Sequence, residues 1–235
     1  PPGGMPPGGM PPGPPPGMEG YNMRGTHKKP GEGAAPLTLG DLTKAKGLVR
    51  AAKALNASPA DMVRINSIAR KFVKEDPTLS DLNIGKSSGS DFYDIKKDRV
   101  AIRSSDPDIL AHEIGHAARL RSKGNTYKHV LRGTKALNSL LTSAALPLGG
   151  AASYSSSLKD EHRSTVLKGL AAASALSAIP NMTEEVLASA SALRHSTDKI
   201  RTLTSLAPGL ASHALHDLGG TGTYLLFNQL ANKDK

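Results

Sequence analysis

The segment LAHEIGHAARL, residues 110–120, sets His112 and His116 four positions apart, with Glu113 directly after the first. On an α-helix, residues four apart lie one above the other on the same face. Two imidazoles so placed can converge on one cation, and zinc accepts histidine nitrogens at about 2.0–2.1 Å in a compact tetrahedron. Glu113 is turned from His112 by about 100° around the helix axis. It can miss direct ligation and still reach a water on the metal, which is the general-base position in metal-assisted hydrolysis. The pattern therefore predicts a Zn2+ site with Glu113 as the catalytic carboxylate. A helix that carries histidines only for packing is the competing interpretation. The flanks argue against it. Glu113 is the one Asp, Glu, Lys or Arg between Asp108 and Arg119, and a lone carboxylate on an apolar helix is costly to bury. Gly115 costs about 1 kcal/mol against Ala in a helix interior, and in return lets another backbone or a substrate come close.

Two histidines hold zinc poorly, and a catalytic site usually has three protein ligands. Cysteine is absent, so the third must be a carboxylate or another His. The strongest stretch is IPNMTEEVLASASALRH, residues 179–195. Pro180 and Asn181 are expected to end one helix and Thr183 to cap the next, with Glu184 and Glu185 in its first turn. The two glutamates point about 100° apart, so only one should face the metal. His213, His216 and Asp217 form another cluster, expected to line an amphipathic helix. A peptidase also needs a group to stabilise an oxyanion. Arg194, His195 and Tyr224 are candidates that spacing does not separate.

HEIGH preceded by a β segment, with EEVLAS downstream, resembles the zincin metallopeptidases of the gluzincin type. The layout is similar to that of the heat-shock and prenyl-protein membrane metalloproteases. The resemblance implies a zinc metalloendopeptidase in which His112, His116 and Glu185 bind the metal, with Glu184 as the fallback ligand. Ser189 stands where the family often has an acid, so the support of the ligands departs from the pattern. Arg119 and Ser122 occupy the places where the metzincin branch has Gly and His, which excludes that branch. By the same analogy RVAIRS would be the strand edge that receives a peptide substrate.

The elements that must position these residues can be read around them. LGDLTKAKGLVRAAKAL predicts an amphipathic helix with Leu42, Ala45, Val49, Ala52 and Leu55 on its inner side, stopping at Asn56. A second helix begins at Ser58-Pro59, with Met62, Ile65, Ala69, Phe72 and Val73 inward. Residues 84–90 read as loop. DFYDI and RVAIRS read as a small β hairpin just before the His-bearing helix, which starts at Ser105-Asp106-Pro107-Asp108. Residues 136–158 and 169–183 carry no charge and flank the charged connector Lys159–Arg163. They predict a helical hairpin inserted at about 136–183. Burial in the protein or at a surface is favoured over a membrane span, because Pro147, Gly149 and Gly150 interrupt the first arm and the second is short. The last section predicts a helix, a break at Gly219-Gly220, and a terminal helix.

Composition bounds the rest. Aromatics are 3% of the 235 residues and Trp is absent, so the core must come from Leu, Ile, Val and Ala. That favours close helix packing and a mainly α fold, zincin-like, with a small β hairpin beside the active helix. Residues 1–36 are a Pro/Gly/Met-rich tail, too poor in apolar side chains to form a core. A larger assembly is expected to order it, and residues 37–235 form the catalytic domain. With no start methionine and no signal-peptide pattern at its front, the chain reads as a segment of a longer polypeptide. The net charge of +10 suits anionic partners, but no basic run exceeds a Lys-Lys pair and no aromatics interleave with it. Sequence-specific nucleic-acid binding is not expected. The expected partner is a peptide or protein substrate. The alternative function is a structural or assembly protein, for example of a virus or phage particle, that keeps a zincin fold and contacts membrane or nucleic acid.

Overall fold

A computed structural model describes residues 36–155 and 157–233. The proposed tail lies outside these residues, apart from Pro36. The described chain is mainly helical, with seven α-helices and a four-stranded sheet. Strands β1 (Leu37–Thr38), β2 (Asn83–Lys86), β3 (Phe92–Asp94) and β4 (Arg99–Ile102) lie in the order β1-β2-β4-β3. The β3–β4 hairpin forms as predicted, with Tyr93 opposite Val100. The predicted loop at 84–90 is corrected: its first residues form β2, which runs parallel to β4 with Ile84 opposite Val100. Ile84 is buried while its neighbours are half-buried, so alternation over four residues carries the strand despite Gly85. RVAIRS is corrected too. It is an inner strand, and β3 is the edge on that side of the sheet.

Helix α1 (Ala45–Leu55) packs on β1 and β2, with α2 (Pro59–Glu75) beside it. Asn56 ends α1 in the left-handed conformation, and the Ser58 side chain caps α2 by accepting from the Asp61 amide. The inner face of α1 is Gly47, Ala51 and Leu55, whereas Val49 is 76% exposed. The predicted face was displaced because residues 41–43 form a separate 3-10 turn that buries Leu42 on its own. Met62, Ile65, Ile68, Ala69 and Phe72 of α2 join Leu39, Leu79, Leu82, Val100 and Ile102 in the main core.

The His-bearing helix α3 (Pro107–Ser122) follows β4 directly. After it come α4 (Asn125–Ser143), α5 (Ala145–Tyr154), α6 (Asp160–His195) and α7 (Lys199–Ala231). Two predicted breaks do not occur. Helix α6 continues through Pro180, where Thr183 donates to the Ile179 carbonyl instead of capping a new helix. Pro180 removes one backbone donor, but small and polar residues on both sides of it bury against neighbouring helices and hold the helix together. Helix α7 continues through Gly219-Gly220, and a Cβ on Gly220 would sit 2.8 Å from Ser174 Oγ of α6. That glycine serves close packing and does not break the helix. The first predicted arm, 136–158, is divided at Ala144 between α4 and α5. Among the described residues, no helix is long and apolar enough to cross a membrane.

Candidate metal centre

Helix α3 is fixed at its start by a polar cluster. The Asp106 side chain caps it by accepting from the Asp108 amide at 2.8 Å, with Pro107 in the first turn. Asp108 is fully buried and accepts two hydrogen bonds from Arg64 of α2 and one from Thr202 of α7. Ser205 of α7 donates to Asp106 at 2.6 Å. Capping thus ties α3 to both neighbours and sets the direction of its histidine face.

Helix α6 crosses that face closely. A Cβ on Gly115 would lie 2.8 Å from the Ala188 carbonyl oxygen, so the glycine is needed for this approach. The crossing brings Glu185 to the histidines. His112 Nε2 lies 3.2 Å from Glu185 Oε2, His116 Nε2 lies 3.4 Å from the same oxygen, and the two Nε2 atoms are 3.2 Å apart. Donor atoms of all three residues fall within 4.8 Å of one another, a group that could hold a metal ion. Two ligands about 2.05 Å from a tetrahedral ion are separated by about 3.3 Å, so the observed spacings fit a tetrahedral ion of zinc's size. Ser189 Oγ lies 3.1 Å from His112 Nδ1. With Nδ1–H donating to this hydroxyl, the Nε2 lone pair faces the shared point. Converging lone pairs and a carboxylate oxygen are repulsive unless a cation or proton lies between them.

The two glutamates of α6 diverge as helical geometry requires. Glu184 accepts from both Arg119 Nε and Nη2 and from the Tyr127 hydroxyl. It is occupied away from the histidines and is not in the metal group. Burial pushes the Glu185 carboxyl upward, but the His112 and His116 rings beside it outweigh that effect and hold the group far below the usual carboxylate range. Glu113 is 6% exposed. Burial raises its pKa against the opposing pull of His116 and His112.

The other predicted groups fall elsewhere. Arg194 pairs with Glu75. His195 places its ring nitrogens 2.7 Å from Glu75 Oε2 and 2.7 Å from the Ser191 carbonyl oxygen, and stacks on Phe72. Tyr224 is fully buried and donates to the Leu141 carbonyl. These partners occupy all three candidates for oxyanion stabilisation away from the metal group. His213 is the residue that sequence reasoning placed wrongly. It does not merely line a helix, because its Nε2 lies 3.7 Å from Glu185 Oε2 and its side chain is half exposed. Its companion Asp217 is buried and accepts from Asn138 at 2.9 Å. Burial raises the Asp217 pKa. Lys135 of α4, also unforeseen, brings Nζ to 4.0 Å from Glu185 Oε1.

A cleft passes this group in two lobes, and Asp91, Glu113, Glu185 and His213 line both. The edge strand β3 contributes Phe92 and Tyr93 to one lobe. The edge strand that borders the cleft is therefore β3, and RVAIRS is not an edge. Comparison with protein-family models, curated proteins and solved structures gave no match to this chain.

Proposed function

We propose that this chain is a zinc-dependent peptidase of zincin type, cleaving peptide bonds in a peptide or protein substrate. The observation that carries the proposal is the convergence of His112, His116 and Glu185 from two helices, with Glu113 buried alongside. The three ligands would hold Zn2+, which would supply the positive charge that makes a water acidic enough to serve as nucleophile near neutral pH. Glu113 lies on the cleft wall without a hydrogen-bonding partner of its own among the described residues. Its buried carboxylate has a raised proton affinity, which suits accepting a proton and returning it to a leaving amine. Ser189 fixes the His112 ring, and Arg119 with Tyr127 keeps Glu184 away from the ligand position. The exposed edge of β3 can pair with an extended peptide.

The test is to measure zinc stoichiometry by elemental analysis and cleavage of casein by the full chain. One zinc per chain is expected, with activity lost to a chelator. Glu113→Gln should keep the zinc and lose about 100-fold or more in rate, whereas Glu185→Gln should lose zinc first. Equal cleavage by the parent and Glu113→Gln would overturn the mechanism.

A second reading is an assembly module, possessing the same fold for packing and contacting membrane or nucleic acid within a viral or phage particle. It is favoured by the apolar side chains left exposed on α7, including Leu203, Leu215, Leu225 and Leu226. A chain that assembles normally, binds no zinc and cleaves nothing would support it.

A further inference from the structure

The two lobes of the cleft differ in character. The lobe toward β3 is small, about 110 Å³, and contains Lys135 and Glu184. The lobe toward α7 is about 290 Å³, and its walls include Ile109, Leu206, Gly209 and Leu210. These four residues belong to two matching helical stripes. On α3, Ile109 precedes His112 and Glu113 by three and four positions. On α7, Leu206, Gly209 and Leu210 precede His213 by seven, four and three. Residues at such spacings share a face, so each stripe runs from an apolar wall straight to a group at the metal centre. His112, Glu113 and His213 line this same lobe.

Gly209 stands out in that wall. It lies within α7 immediately after Pro208, where glycine costs about 1 kcal/mol against Ala in a helix. No close helix crossing accounts for it, because a Cβ there would meet nothing within 4 Å. Gly115 and Gly220 are different, since each lets another helix approach. The missing side chain at Gly209 leaves open space in the lobe.

We infer that this lobe is the side-chain pocket of the cleft, selecting a large aliphatic or aromatic residue next to the cleaved bond, and that Gly209 sets its depth. The inference rests on the metal centre proposed above. The apolar walls favour removal of an aliphatic group from water. The half-exposed His213 and the buried Glu113 make the lobe polar at the metal centre, and Ser90, Asp91 and Ser205 add polar groups beside the apolar wall.

Two metal-chelating probes measure this without catalysis. Acetohydroxamate carries a methyl group, and 4-methylpentanohydroxamate carries a branched chain able to reach the lobe. Both are titrated calorimetrically into the zinc-loaded full chain. The branched probe should bind about tenfold more tightly, a part of what full burial of its extra carbons would give. Gly209→Val should bring the ratio of the two affinities close to one, and Gly209→Ala should give an intermediate ratio. Both variants are checked for native helicity by circular dichroism; Gly209→Ala favours the helix and guards against misfolding of the larger replacement. A ratio near one in the parent, or a ratio unmoved by both substitutions, overturns the pocket while leaving the metal centre standing. A parent chain that takes up no zinc, or binds neither hydroxamate when loaded, overturns the metal centre and the pocket with it.

Discussion

The sheet with α1 to α3 and the bundle of α4 to α7 are built on opposite principles. In the first, large apolar side chains are inside: Leu39, Leu42, Ile65, Ile68, Phe72, Leu79, Leu82 and Ile102 are all 2% exposed or less. In the second, the buried cluster is Ala145, Ala152, Leu167, Ala171 and Tyr224, while Leu146, Leu176 and Leu215 remain 68% or more exposed. The buried face of α6 is largely Ala and Ser, with Asn181 and the two glutamates. Small residues allow close helix approach and give little apolar burial in return. The first region anchors α3 by volume, and the second carries Glu185 to it by proximity. A metal ion held by His112, His116 and Glu185 would join the two, taking rigidity from one and reach from the other.

The largest effect expected from this contrast is in the first region. Phe72→Ala removes a side chain that is 2% exposed and stacked on His195. It should cost about 3–5 kcal/mol in chemical unfolding, in the range for buried aromatic deletions. A cost below about 1 kcal/mol would show that this core does not anchor α3.

Gly115→Val sharpens the comparison at the junction. The new Cβ would meet the Ala188 backbone oxygen, which cannot swing away as a side chain can. Separation of α3 and α6 should cost about 1–3 kcal/mol and weaken zinc uptake more than tenfold, read by competition with a chromogenic chelator. If zinc affinity is kept while stability falls, the ligands tolerate a wider helix separation than their 3.2–3.4 Å spacings suggest.

Legibility from sequence follows the same division. Around α2 and α3 the signals are local: Ser58 and Asp106 cap, Pro59 and Pro107 open the first turns, and apolar spacing marks the inner face of α2. These need no knowledge of the tertiary fold. The convergence of His112 and His116 was legible because four-residue spacing on a helix has one geometric meaning. Glu185 came from resemblance, since helical phase alone separates the two glutamates without saying which faces the metal. In the bundle local signals misled. Pro180 and Gly219-Gly220 look like breaks, but packing along α6 and α7 holds both helices continuous. Strand β2 was hidden by Gly85 and a polar flank, and only its pairing with β1 and β4 defines it. His213 could not be assigned because α7 meets the metal group through tertiary packing. The Leu206, Leu210 and His213 spacing would have placed it on a shared face, but not against Glu185.

The smallest expected effect probes the outer face of the bundle. Leu215 is 77% exposed on α7, so Leu215→Gln removes little buried area. Leucine and glutamine also have similar helix propensity. The substitution should change unfolding free energy by no more than about 0.5 kcal/mol for the isolated chain. The same measurement repeated over a hundredfold range of protein concentration separates an idle surface from a used one. If Leu215 packs against another copy, the parent's stability rises with concentration and the variant's does not. A concentration-independent parent and a near-neutral variant would mean that these leucines add nothing to the isolated bundle, whose helices are then held by their small buried residues and hydrogen bonds.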